Sequence, residues 1–165
     1  EMQRSLVGSE MCIRDSINAV VGLIPGSIGE TSVIAIALGA ILLLWTGVAS
    51  WKTMLSVFVG GALMGFVLQG IEGNHILWYQ HLVFGGFAFG AVFMATDPVT
   101  SARTECGKYV YGFLIGVVAV MVRVLNPGFP EGMMLAILLM NAFAPLIDYC
   151  FVQSNINKRA KRAIK

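Results

Sequence analysis

A chain of 165 residues in which 57% of side chains are hydrophobic and only 12% are charged is not an ordinary water-soluble domain, where about 25% are charged. The mean hydropathy of +0.79 points to an integral membrane protein, and the formal net charge of +2 matters less than where its cations sit. The three cysteines, Cys12, Cys106 and Cys150, show no CxxC or metal-ligand spacing, so free thiols are expected and a disulfide framework or metal site is not.

In chain order, the first stretch is not expected to be structural. LVGSEMCIRD, residues 6–15, is one reading frame of a common transposon-end sequencing adapter. Residues 1–16 are therefore read as adapter-derived or suspect and set aside from fold reasoning. On this reading the protein's own sequence begins near Ile17 and its true N-terminus is missing. PGSIGE, residues 25–30, opens the first apolar run, and Ser27 with Glu30 has the spacing of a capping box. Gly26 and Gly29 would let an anion approach the helix amides, although the Glu30 carboxylate would compete with it.

A membrane span needs about 20 apolar residues, because a helix rises about 1.5 Å per residue across a core about 30 Å thick. Five runs qualify: 31–50, 53–71, 82–95, 109–125 and 132–151. The third is short unless it continues from Trp78 or through Asp97. The expected architecture is an all-α bundle of five transmembrane helices over residues 17–152, with a basic tail at 153–165. Gly61 and Gly65, Gly86 and Gly90, and Gly112 and Gly116 are each four apart, a spacing that lets membrane helices approach closely.

Charge orients the runs. With the tail NKRAKRAIK in the cytoplasm, Lys52, Arg103 and Lys108 fall on the same inner side, while the outer loops carry no Lys or Arg beyond nearby Arg123, as the positive-inside rule asks. Trp45, Trp51, Trp78 and Tyr79 lie near run ends, as interfacial aromatics do. Ile17 then faces outward. The tail is read as a topology signal that touches anionic lipid headgroups; nothing supports nucleic-acid binding.

Polar residues inside or beside spans mark candidate chemistry. Asp97, in FMATDPVT at the inner end of the third run, is followed by Pro98, which removes a backbone donor and disfavours helix. An interfacial turn or cap accounts for it. An ion pathway does so too, since Thr96 and Thr100 add oxygens that suit a hard cation, and a broken helix exposes carbonyls. Asp148, three residues after Pro145 in NAFAPLIDYC, looks like a second break at similar depth. Asn141 lies about two turns before it, on the same face. Arg123 is expected to snorkel to the outer interface, and Glu131 after Pro130 reads as a first-turn acid. His75 and His81, six apart in a loop, are poor metal ligands. There is no nucleophile–base arrangement, Walker loop or dinucleotide glycine motif.

IPGSIGETS, TGVASW, HLVFGGFAFG, FMATDPVTSA and NPGFPEGMMLAILLMNAFAPLID resemble, in order, the B-type membrane subunits of the sodium-translocating NADH:quinone reductases. The related D-type subunits of Rnf electron-transport complexes share GSIGETS, ATDPVT and PLIDY. The resemblance implies the second half of a ten-span, two-repeat subunit in the bacterial inner membrane, with a cytoplasmic C-terminus. It implies FMN attached covalently to a threonine that lies before Ile17 and is absent from this chain, riboflavin in the full subunit, and a quinone site. Expected partners are other membrane subunits and the NADH-oxidising subunit. Asp97 and Asp148 match acidic positions that the family associates with sodium movement, with Thr96, Thr100 and Asn141 as neighbours. Gly26, Ser27, Gly29 and Glu30 lie near the FMN loop in sequence. This fragment alone is expected to be inactive. An Rnf-type ion-translocating electron-transport subunit is the second reading, because the EGMM stretch looks closer to the quinone reductase; from the residues themselves a non-redox secondary transporter is a further alternative, and a purely structural membrane scaffold another.

Overall fold

A computed structural model describes residues 32–69, 82, 86–125 and 132–163. The adapter-like stretch, PGSIGE, His75, Trp78, Tyr79, His81 and Glu131 lie outside them. The elements are α1 (Val33–Trp45), α2 (Trp51–Gln69), α3 (Phe87–Phe89) running into a π-helical segment (Gly90–Met94), α4 (Glu105–Leu125) and α5 (Gly132–Ala163). Among the described residues there is no strand.

Among the described residues, three of the five predicted runs form helices long and apolar enough to cross a membrane: α2, α4 and α5. The 19 and 21 residues of α2 and α4 rise about 28 and 32 Å, close to the thickness of the hydrocarbon core. α1 has only 13 residues. Its N-cap is Ser32, whose hydroxyl accepts the Ala35 N–H, so this described helix starts later than the Ser27 capping box suggested.

The third run is not one continuous α-helix. It enters through Gly86 in a left-handed conformation (φ +67°), which glycine adopts without a Cβ penalty. After three α-helical residues the ladder widens, and the Ala95 N–H donates to the Gly90 carbonyl five residues back (2.8 Å). Such π-helical turns interrupt a regular helix with one extra residue per turn. Gly86 is therefore a turn glycine.

The fifth run also differs from expectation. Pro145 does not end it: α5 continues unbroken through the predicted tail to Ala163. The helix is 32 residues, about 48 Å, so it outruns a membrane core of about 30 Å by more than half. Proline lacks the N–H that the Asn141 carbonyl would receive four residues earlier, yet one missing bond does not break a helix whose other backbone bonds continue on either side.

Pairings across the helices set their directions. Ser56 reaches Tyr109, Gly60 meets Phe113, and Gly61 meets Gly116; both sequences rise together, so α2 and α4 are parallel. Asp148 reaches Thr104, Asn141 reaches Tyr111 and Gly132 meets Ala119; α5 therefore runs antiparallel to α4. This is the alternation that spans crossing in turn require.

The packing is inside-out relative to a soluble protein. Small groups fill the interior, including Ala91, Ala95, Ala136 and Ala144, around the buried Phe87, Tyr111 and Ile115. Large apolar side chains face outward, among them Leu38 on α1, Phe66 on α2 and Leu138 on α5. α2 and α4 meet backbone to backbone. A Cβ on Gly112 would lie 2.7 Å from the Thr53 carbonyl oxygen, and one on Gly116 2.5 Å from the Gly61 nitrogen. Gly61 instead receives the Phe87 ring, and Gly60, which the four-residue spacing does not pick out, abuts the Phe113 carbonyl.

Candidate functional site

One end of the bundle gathers the polar chemistry. The turn between α1 and α2, the segment 95–104 and the 144–148 region of α5 all line two adjoining cavities there. The cations assigned to one side by charge come together at this end: Lys52 and Lys108 both pair with Glu105.

Asp97 is held in a turn. Its Oδ1 accepts the Val99 N–H (3.2 Å), its Oδ2 accepts the Thr100 hydroxyl (2.9 Å), and its own carbonyl accepts the Ser101 N–H (3.1 Å). This is an aspartate side chain standing in for backbone beyond a proline that cannot donate. The Val99 amide first, and then the Thr100 hydroxyl, hold the carboxyl below its ordinary range, because both bonds favour the charged form. Thr96, buried one residue earlier, donates its hydroxyl to the Val92 carbonyl and does not share the Asp97 carboxylate.

Asp148 makes the stronger tertiary contact. Oδ2 accepts the Arg103 N–H (2.8 Å), while Oδ1 accepts both the Thr104 N–H (3.1 Å) and the Thr104 hydroxyl (2.6 Å). Thr104 is itself the N-cap of α4. Its hydroxyl oxygen accepts the Gly107 N–H (3.2 Å) and its carbonyl accepts the Lys108 N–H (2.9 Å). A carboxylate from α5 thus closes the N-terminus of α4, where the helix dipole favours negative charge. Gly107 is the space this clasp needs: a Cβ there would strike Thr104 Oγ1 and lie 2.9 Å from Asp148 Oδ1.

Asn141 and Asp148 both reach α4, as their seven-residue spacing places them on one face. Tyr111, fully buried, donates its hydroxyl to Asn141 Oδ1. The two acids do not touch each other, but their surroundings meet. Thr100, bound to Asp97, lines a cavity of about 270 Å³ together with Pro145 and Asp148. Thr96 lines the other cavity, about 510 Å³, between the α1–α2 turn and the start of α4. Cys106 and Cys150 are free and exposed.

Sequence reasoning did not single out Thr104, Gly107, Glu105 or Tyr111. A local signal existed for the first and third, since a threonine followed by an acid before an apolar run marks a helix start. Nothing local announces that Asp148 joins that cap from 44 residues away.

A profile of the NQR2, RnfD, RnfE family matches residues 3–157. The chain belongs to that family. It is 59% identical over 150 residues to the B-type subunit of the Na(+)-translocating NADH-quinone reductase of Chromohalobacter salexigens, covering 88% of this chain and 36% of the relative. It is 50% identical over 165 residues to the protein of the same name from Ectopseudomonas mendocina, covering 95% of this chain and 41% of the relative. Another so named, from Stutzerimonas stutzeri, is 50% identical over 153 residues, covering 90% and 38%. The chain thus spans about two fifths of the length of these relatives.

Proposed function

We propose that the chain is the C-terminal half of a membrane flavoprotein subunit in a sodium-translocating NADH:quinone reductase. It works there with other membrane subunits and an NADH-oxidising one, in the bacterial inner membrane, with its C-terminus cytoplasmic. The 59% identity to a relative so named carries this reading. The family also includes Rnf subunits, and the sodium reductase is preferred because the relatives above carry its name. The ten-span, two-repeat organisation is part of the proposal, with this chain supplying spans of the second repeat.

Electron transfer would belong to flavins: FMN on a threonine upstream of this chain, and riboflavin. The protein's share is binding and positioning. Gly26, Ser27, Gly29 and Glu30 lie outside the described residues, and no described side chain is assigned to a flavin.

For the described half the proposed task is cation handling at Asp97 and Asp148, with Thr96, Thr100 and Asn141 as auxiliary oxygens. The hydrogen bonds supply a mechanism. A sodium ion bound at Asp148 would compete with the Arg103 and Thr104 N–H groups for the same two oxygens. Ion occupancy would then be coupled to the end of α4 and to the segment 97–104, whose other end Asp97 holds. A sodium titration of quinone reduction by the intact complex tests this. Asp97→Asn and Asp148→Asn should weaken sodium stimulation while flavin content stays normal. Unchanged sodium dependence in both variants would remove the assignment.

A further inference from the structure

The larger cavity is lined by neither Asp97 nor Asp148 and has a different character. It is a cleft of about 510 Å³ whose lining includes Trp51, Lys52, Arg103, Glu105 and Lys108. Three cations face one anion. Glu105 is shared by Lys52 and Lys108, which are less exposed (29% and 23% of their side chains) than Glu105 itself (64%). One carboxylate cannot neutralise two ammonium groups, and no described side chain hydrogen-bonds the Arg103 guanidinium, although its charge is felt by Asp148 in the adjoining cavity. The residues lining this cleft therefore carry two positive charges in excess, which Asp148, just outside it, offsets in part. The parallel helices α2 and α4 both begin here, adding two positive dipole ends, and the first turn of α2 has no acid.

The surroundings specify what kind of anion fits. α1 ends beside the cleft at Trp45, 89% exposed, and Trp51 on the rim is 54% exposed. Such aromatics sit at headgroup level in a bilayer. Ile41, Leu42 and Val48 continue from them as exposed apolar surface. Cations above, indole rings at the rim and an aliphatic strip below match the layers of a phospholipid. Basic pockets between transmembrane helices on the cytoplasmic side are a recognised form of headgroup site.

We propose that this cleft binds the phosphate headgroup of an anionic phospholipid, with its acyl chains along the outer face of α1. The inference rests on the spanning arrangement proposed above. Arg103 and Lys108 give the phosphate its principal contacts, with Arg103 able to bind two phosphate oxygens through its planar fork.

The test is native mass spectrometry of the whole reductase complex, taken from nanodiscs of mixed phosphatidylglycerol and phosphatidylcholine. The wild type should retain phosphatidylglycerol over phosphatidylcholine. Arg103→Gln with Lys108→Gln should lower that retention at least tenfold, and Arg103→Lys with Lys108→Arg should restore most of it. Lys161→Gln with Arg162→Gln removes the same charge from the exposed end of α5, where headgroup contact is diffuse, and should lower retention less than twofold. If the double Gln variant fails to assemble, Arg103→Gln alone is read and should still reduce retention at least threefold. Equal retention in the cleft and tail variants, or no headgroup preference in the wild type, overturns the proposal. Displacement of the lipid by millimolar inorganic phosphate in the wild type also overturns it, because the cleft would then be a free-phosphate site. Retention of the complex in alkaline-washed membranes is read in parallel, so that failure of the spanning arrangement and failure of the lipid site are told apart.

Discussion

The α2–α4 contact and the polar end of the bundle hold the same helices by opposite means. Between α2 and α4 the adhesive element is the absence of side chains: Gly60, Gly112 and Gly116 let two backbones touch. At the polar end the adhesive element is one side chain, Asp148, which holds three donors from a neighbouring helix start. The first contact is lost by adding atoms and the second by removing them. Lipid tails are as apolar as a leucine-lined helix face, so burying apolar area does not drive helices together in a membrane. Close packing and hydrogen bonding take its place.

The largest effect should come from filling the dry contact. Gly116→Val puts a branched side chain against the Val57 carbonyl and the Gly61 nitrogen, both of them backbone. Overpacking of this kind costs about 3 kcal/mol or more when neighbours cannot move. The variant complex should show the greatest fall in thermal stability, or no assembled band on a native gel. Gly39→Ala is the matched contrast, because its Cβ would meet only the tip of the Phe93 ring, which can swing aside. If the two variants behave alike, backbone contact is not what holds α2 to α4.

Opening the clasp should cost less. Asp148→Ala leaves the Arg103 N–H, the Thr104 N–H and the Thr104 hydroxyl without their acceptor, a loss of about 2 kcal/mol for bonds to a charged group. Gly107→Ala should reach the same open state from the other side, by pushing Thr104 and Asp148 apart. The two losses should not add, since both remove one cluster. In thermal unfolding the double variant should be no worse than the poorer single variant by more than about 0.5 kcal/mol. Full additivity would show that Gly107 does not act through the clasp.

The smallest effect belongs to Asp97, whose bonds are local. Its folded carboxyl lies below the ordinary value of 3.8, so its contribution is present above that value and fades as pH falls through the depressed one. Hydrogen exchange of the Val99 amide, corrected for intrinsic rates, should lose protection only on acidification below about pH 4. In Asp97→Asn the profile should be flat. A wild-type profile that is flat as well would mean the turn does not depend on the charge.

Much of the outline was legible because each reading needed only neighbours in sequence. α2 and α4 announced themselves through uninterrupted apolar length. The joint placement of Lys52, Arg103 and Lys108 followed from loop charge. Gly112 and Gly116 were visible as a spacing. The misreadings fall where a local rule met a tertiary constraint. Pro145 signalled a break, but α5 passes through it to Ala163. The run 82–95 is apolar enough for a helix, but Gly86 and the π-helical segment divide it. Gly60, off the four-residue rhythm, packs as tightly as the glycines on it.

The amino-acid sequence by itself determined that this is a multi-pass membrane protein, that consecutive runs alternate and which acids stand out, because hydropathy and charge act through the residues that carry them. Only the tertiary structure decided what those acids hold. A carboxylate commits its oxygens to whichever donors packing brings within about 3 Å. Thr104 reaches Asp148 only because α5 returns antiparallel along α4.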